Sequence, residues 1–481
     1  MTTIKLDPGA ALLLDALHGA GHAAYAVGGC VRDSLLGLDP HDWDLCTSAR
    51  PEQVMALFGE EKCIPTGLQH GTVTVKQGGR LYETTTFRTE GAYSDGRHPD
   101  AVCFVPDVRE DLARRDFTIN AMAYSAEEGL IDPFGGRDDL AAHLVRAVGE
   151  PERRFEEDAL RILRLYRFAA RFGFAIDPAT GAAARALGPH LDCVSAERIQ
   201  EELLKLLAAP RPGSYLESAV LAVILPELEP EKQPERFAEL CRTIDRIEPT
   251  AENVPTRLAA LLCPLGEAGA RKALRKLKCS NALTDEVTAL VGGSVGSFLL
   301  GHEFELRHPA DALCLERHSH PAGRCPNSNS LFPPQAAVVA VAGRSIARPI
   351  ACGNRVPPQR TVLGETPGTP NTTLTVQAKR LLGRYELPTI QRLTALCSAR
   401  HPEQAGAFAA LRAEAEQLTA ENACCRVSQL AVNGRDLMAA GVRPGPGLRQ
   451  VLNALLEAVI TGQTPNEKDA LLAAAAQFSA S

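Results

Sequence analysis

Gly28-Gly29-Cys30-Val31-Arg32-Asp33 is followed, nine residues after Asp33, by the aspartates of Asp42-Trp43-Asp44. Paired glycines let the backbone approach an anion closely, and a helix opening behind them aims N–H groups and a positive dipole end at the same place. Arg32, just inside that helix, is suited to grip a triphosphate. Asp42 and Asp44 are two apart, so on a strand both carboxylates leave from one face. Such a pair can hold two divalent ions, one lowering the pKa of an attacking hydroxyl and one stabilising the leaving oxygen. Glu83, expected at the end of a later strand, is the candidate third acid. An Asp-x-Asp alone is common in solvated turns; the glycine turn ahead of it is what points to nucleotidyl transfer.

Around this core the chain alternates helix and strand signals. A helix is expected over 8–18, a short apolar strand over 23–27, a helix over 31–36 and a strand over 43–46. Gly71-Thr72-Val73-Thr74-Val75 and Leu81-Tyr82-Glu83-Thr84-Thr85 alternate with period two and carry β-branched residues, as strands do. After the turn-rich Asp132-Pro133-Phe134-Gly135-Gly136 helical periodicity takes over, with helices expected over 156–172, 196–207, 214–223 and 235–247.

With 481 residues the chain is too long for one ordinary core. Its 51 basic and 58 acidic residues leave a net charge of −7, which argues against a general nucleic-acid-coating protein while leaving room for a local basic groove. The start reads as amphipathic helix and not as a cleavable leader, and no apolar run approaches the ~20 residues of a membrane span. A cytoplasmic protein with no membrane partner is expected. The 14 cysteines show no Cys-x-x-Cys spacing, so reduced thiols are expected rather than a disulfide framework or a zinc site.

The stretch 304–373 breaks the pattern. It holds ten prolines, seven arginines and no lysine, with no sustained period. Two readings stand: a disordered insert, or a translation of the wrong frame of GC-rich DNA. Cys314, His318, His320 and Cys325 within it match no common metal-site spacing.

The motifs in order carry a resemblance. Gly28 to Asp33 with Asp42-Trp43-Asp44, then Arg114-Arg115-Asp116-Phe117-Thr118-Ile119-Asn120-Ala121, then Glu157-Asp158-Ala159-Leu160-Arg161, resemble the successive motifs of the class II tRNA nucleotidyltransferase and bacterial poly(A) polymerase family. The resemblance implies an α+β chain. An N-terminal nucleotidyltransferase head, a small mixed sheet with helices, occupies 1–140, and an all-α neck (141–215), body (216–303) and body/tail (374–481) follow. It implies Mg2+ held by Asp42 and Asp44 with Glu83 nearby. Gly28, Gly29, Arg32 and Asp33 belong to its nucleotide-binding turn. Arg114, Asp116 and Asn120 match the motif that lines the nucleotide's sugar and phosphates. Asp132 to Gly136 matches a head–neck hinge, though an ordinary turn needs the same residues.

Asp158 and Arg161 are three apart on an expected helix, hence on one face. A carboxylate accepts from the exocyclic amine of cytosine or adenine while a guanidinium donates to the neighbouring ring nitrogen. Uracil and guanine oppose both contacts. The pair can therefore select CTP and ATP without a template, as in the family resembled; the alternative is an intrahelical ion pair worth ~0.3 to 0.5 kcal/mol. Arg164, Arg167 and Arg171 extend the stripe, either as a solvated face or as a wall toward an RNA end; the first two are included among the nucleotide-binding candidates. Val194-Ser195-Ala196-Glu197-Arg198-Ile199 resembles the last neck motif, with Ser195 as helix cap. Asn433 to Leu437 and Gly441 to Gly447 resemble the region that grips tRNA.

The stretch 88–104, with Tyr93, Asp95, Arg97 and Pro99, resembles a loop of CCA-adding members. The expected activity is template-independent addition of CCA to tRNA from CTP and ATP. Poly(A) synthesis or partial CC or A addition stand as alternatives, with small-molecule nucleotidyl transfer and non-catalytic RNA binding behind them. The region 251–266 lacks the histidines of a phosphohydrolase motif. Oligomeric state is left open.

Overall fold

A computed structural model of the chain describes residues 3–91, 102–295 and 372–478. Tyr93, Asp95, Arg97 and Pro99, and all but the last two residues of 304–373, with the four Cys and His noted there, lie outside the described residues.

The chain begins with α1 (Pro8–Gly19), β1 (Ala24–Val27), α2 (Gly29–Leu35), β2 (Leu45–Thr47), α3 (Pro51–Phe58), β3 (Cys63–Gly67), β4 (Thr72–Gln77) and β5 (Arg80–Thr86). It continues through β6 (Arg88–Glu90), β7 (Val102–Phe104), α4 (Val108–Ala113), β8 (Ala123–Ser125) and β9 (Gly129–Ile131). Seven of these strands form one mixed sheet in the order β3-β4-β5-β2-β1-β8-β9. Its centre is β1, antiparallel to both β2 and β8, and all four of its residues are buried, as a central strand requires. β2 runs parallel to β5 with Leu45 opposite Thr84. Along β5, Tyr82, Thr84 and Thr86 are buried while Leu81 and Glu83 are exposed, the alternation that sends Glu83 to the other face. Glu83 thus sits in mid-strand, not at a strand end as the sequence suggested. The expected strand over 43–46 also shifts: Asp42, Trp43 and Asp44 form the extended lead-in to β2.

Asp132 closes the head sheet's exit. Its carboxylate accepts from the N–H groups of Gly136 at 2.8 Å and Arg137 at 2.9 Å, capping α5 (Gly136–Ala141). Next come β10 (Leu144–Val145), α6 (Pro151–Glu157), α7 (Leu160–Phe172), β11 (Ala175–Ile176), α8 (Pro178–Ala186) and α9 (Ala196–Leu207). The single helix expected over 156–172 is in fact two, because Asp158 is extended (φ −149°, ψ 103°) and its Oδ1 accepts from Leu160 N at 3.1 Å, capping α7. α7 buries Leu160, Ile162, Leu163, Leu165 and Phe168 and packs on α9. Ser195 stands at the N-cap of α9 but makes no side-chain cap bond, contrary to expectation.

The remaining helices are α10 (Ser218–Ile224), α11 (Pro234–Arg246), α12 (Val254–Leu262), α13 (Gly266–Lys276), α14 (Asn281–Val295), α15 (Thr372–Arg384), α16 (Leu387–Arg400), α17 (Ala405–Ala420), α18 (Gly434–Ala439), α19 (Pro446–Ile460) and α20 (Lys468–Phe478). The helix expected over 214–223 is a 3-10 turn, Pro212–Tyr215, followed by α10. Fully buried Arg257, on α12, donates to the carbonyls of Leu207 at 2.7 Å, Ala209 at 2.6 Å and Ile247 at 2.6 Å. One side chain so closes the C-terminal ends of α9 and α11. In the tail motif, Asn433 and Asp436 cap each other's backbone at the start of α18. Leu437, Leu455 and Leu471 close a small core among α18, α19 and α20. The described cysteines are all free thiols. The α+β class agrees with expectation.

Candidate active site

Gly28 leaves β1 with φ 78° and ψ −122°, a conformation open to glycine. The turn is stitched on both sides: Gly28 N donates to Met122 O at 3.0 Å, and Val27 N donates to Asp44 O at 3.0 Å. A Cβ on Gly28 would lie 2.9 Å from Arg115 Nη1. Glycine is thus favoured by the backbone, while an added methyl would only nudge the flexible end of the arginine above it. α2 is only seven residues long. Arg32 does not reach out freely; it is 4% exposed, its Nε donates to Asp33 Oδ1 at 2.8 Å and its Nη1 donates to Asn120 Oδ1.

Trp43 is buried, while Asp42 and Asp44 face outward into a cavity of about 960 Å³. One step back along the parallel register from Leu45 and Thr84 sets Asp44 beside Glu83, and all three acids line that cavity. Protein surrounding Asp44, then the Glu83 and Asp42 charges, push its carboxyl up, while the Arg115 guanidinium opposes them. Its carboxylate still meets the cavity's water, which moderates that push. Among the described residues no three His, Cys, Asp or Glu side chains converge tightly enough to enclose an ion. Mg2+ does not demand such a cage, since it is commonly held by one or two carboxylates plus substrate phosphates. Crowded acids open to a cavity fit such an ion.

The opposite wall is built from arginines. Asp116 accepts from Arg164 through Nε at 2.9 Å and Nη2 at 2.6 Å, and from Asn120 Nδ2 at 3.0 Å. Burial alone would raise its carboxyl; Arg164 and the Asn120 hydrogen bond outweigh that and hold it well below the usual range. Arg114 is paired with fully buried Asp111 at 2.8 Å. Arg114, Asp116 and Asn120 line the cavity, but their side chains are first engaged with one another and with their neighbours. Arg171 reaches Asp33 at 3.4 Å, and Arg167 donates to Glu202 at 2.6 Å. The stripe of Arg164, Arg167 and Arg171 lines the cavity, with Arg167 mostly buried and Arg171 half exposed.

Asp158 and Arg161 both line this cavity, but not as neighbours on one helix face and not as an ion pair. Asp158, in the break between α6 and α7, receives both ends of the Arg198 guanidinium at 3.2 and 2.8 Å. Arg161, 9% exposed, donates to Glu157 Oε2 at 2.7 Å, Arg154 O at 3.0 Å and Arg114 O at 3.1 Å. An acceptor and a donor are therefore each held by a separate partner along one wall.

Sequence reasoning passed over Arg115, Arg198 and Phe168, all of which line the cavity. Arg115 and Arg198 stood inside motifs already quoted. Arg198 lay one turn into α9 with nothing in local sequence to indicate a partner 40 residues earlier.

Comparison with known proteins agrees with this picture. Family models match residues 24–146 (Poly A polymerase head domain), 173–232 (Probable RNA and SrmB- binding site of polymerase A) and 385–475 (tRNA nucleotidyltransferase domain 2). The CCA-adding enzyme of Levilactobacillus brevis is 33% identical over 471 residues, covering 96% of each chain. That of Lactiplantibacillus plantarum is 32% identical over 462 residues, covering 96% of this chain and 93% of the relative. The crystal structure of the Bacillus stearothermophilus CCA-adding enzyme in complex with CTP superposes with a TM-score of 0.68 at 29% identity, covering 98% of both chains.

Proposed function

This chain belongs to the CCA-adding enzyme family, and we propose that it builds the CCA end of tRNA from CTP and ATP without a template. The observation that carries the site assignment is that Asp42, Asp44 and Glu83 share one cavity with Asp158 and Arg161. One wall has the groups for phosphoryl chemistry; the other has the groups for reading a base.

Asp42 and Asp44 would hold Mg2+, with Glu83 alongside. When bound, the ion acidifies the attacking hydroxyl and neutralises charge on the transferred phosphoryl group. The residues of this chain supply the rest. The Gly28 turn brings backbone close to the phosphates, and Arg115 sits beside it, its Nη2 held by Asp111 at 3.4 Å and its Nη1 over the turn, where its charge can meet the developing negative charge. Asp158 accepts from the exocyclic amine of cytosine or adenine, and Arg161 donates to the adjacent ring nitrogen. Uracil and guanine would leave both groups facing like partners, a mismatch costlier than a lost contact. The reaction joins the tRNA 3′-oxygen to the α-phosphorus and releases pyrophosphate. No described helix is long and apolar enough to cross a membrane. The reading places the enzyme in the cytoplasm with its tRNA substrate.

The test is incubation of the purified protein with labelled CTP, ATP and tRNA ending at the discriminator base. Two C residues and one A should be added, with UTP and GTP left unused. A long A tail from ATP alone would favour the poly(A) reading, and a product stopping at CC the partial one. No extension of this tRNA or of one already ending in CC would refute all three.

A further inference from the structure

We propose that Phe168 is a positioning residue for the nucleotide's phosphates, its ring holding arginines of the cavity wall in a fixed fan. The inference rests on the nucleotidyl-transfer reading of the cavity. Phe168 is 4% exposed and lies on α7 between Arg164 and Arg171. The guanidinium of Arg167 stands 4.0 Å from its ring centroid, that of Arg32 at 5.3 Å and that of Arg164 at 5.6 Å. Phe172 continues the shelf: its ring is 3° from parallel with Phe168, and it carries Arg32 at 4.8 Å and Arg171 at 5.1 Å. Phe117 meets Phe168 edge-on at 78°, fixing the ring from behind.

Four cations this close repel one another. Their carboxylate partners are Asp33, shared by Arg32 and Arg171, Asp116 for Arg164 and Glu202 for Arg167. Those acids leave one positive charge unbalanced in the group, and the remaining repulsion favours dispersal of the guanidiniums. The negative faces of the two rings oppose that dispersal by drawing the guanidinium planes to a common shelf. The fan reaches the glycine turn, because Arg32 Nη2 lies 3.6 Å from the Cβ position of Gly29. A polyphosphate leaving the turn therefore meets cations whose spacing is set before it arrives. An aliphatic residue at 168 would fill similar space but supply no counter-field.

The experiment replaces Phe168 in the full chain with 4-fluoro-, 3,5-difluoro- and 3,4,5-trifluorophenylalanine, which drain the ring face of negative potential at nearly constant size. Equilibrium CTP binding without tRNA, KM for CTP and ATP, and inhibition by pyrophosphate are measured together with the melting temperature. The expected result is stepwise weakening of CTP, ATP and pyrophosphate, about tenfold across the series, with melting temperature, KM for tRNA and the CTP-to-UTP preference unchanged. A flat series overturns the proposal, as does weakening that tracks a falling melting temperature. Graded CTP binding in a protein that cannot extend tRNA would sustain the Phe168 role while refuting the CCA-adding function.

Discussion

Asp158 and Arg198 meet as a two-pronged pair, Oδ1 to Nη1 at 3.2 Å and Oδ2 to Nη2 at 2.8 Å, across 40 residues of sequence. The bidentate geometry fixes the plane of the carboxylate proposed to read the base edge, and so ties base selection to the placement of α9. Arg198→Ala should lower preference for CTP over UTP about tenfold, and Arg198→Lys should restore charge without the fork and recover only part of it. Arg161→Ala should relax the same preference by about 10- to 100-fold, the worth of one charged hydrogen bond. Competition assays with labelled CTP and excess UTP measure both. Unchanged selectivity in both variants would remove the two-residue reading model.

Asp44→Asn should abolish nucleotide incorporation while leaving tRNA affinity near wild type in a filter-binding assay. Its folding signature has a defined sign. The folded-state pKa of Asp44 is raised, first by burial and then by Glu83, so ionisation costs the folded state stability. The variant should therefore be slightly more stable than wild type at pH 7. That difference should vanish as pH falls below the unfolded value of ~3.9, where both forms are neutral. Denaturant titrations at pH 7 and pH 3 decide the stability sign.

Asp116 behaves in the opposite sense. Its folded pKa is depressed, because Arg164 and Asn120 outweigh the effect of burial. Its contribution to stability is complete above the unfolded value of ~3.9 and is lost as pH falls toward the lower folded value. Asp116→Ala should cost about 2 kcal/mol at pH 7, less than the ~3 to 5 kcal/mol of a fully buried pair because Arg164 is partly in water. The deficit should shrink below pH 4. A deficit independent of pH would mean that packing, not charge, accounts for it.

Gly28→Ala tests the turn. The backbone at φ 78° acts against it, and the added methyl would push the Arg115 guanidinium, 2.9 Å away, off its place over the turn. A loss of about 1 to 3 kcal/mol is expected, with a raised KM for CTP. Gly29→Ala, whose Cβ would meet only Arg32 Nη2 at an ordinary 3.6 Å, should be far milder. Equal damage from both would show that the turn does not depend on the backbone conformation of Gly28.

What could be read in the sequence was local. The turn at Gly28, the acids two apart and the helix over Ala196–Leu207 each depend on residues near one another in the chain; the helix lies where spacing put it, and the acids keep one side although they stand in the lead-in to β2. Asp158 misled for the same reason. Three residues from Arg161 looks like one helix face, but aspartate's preference for a cap broke the helix there. Pairings that cross the fold had no sequence signal: Arg198 with Asp158, Arg115 over Gly28, Arg164 into Asp116. Glu83 was placed correctly in composition but wrongly along its strand, because period two shows the face and not the end.

Arg257 works as a clasp. One buried guanidinium bonds carbonyls at the ends of α9 and α11, so removing it would strand acceptors on two helices at once. A single substitution at 257 would therefore register in both.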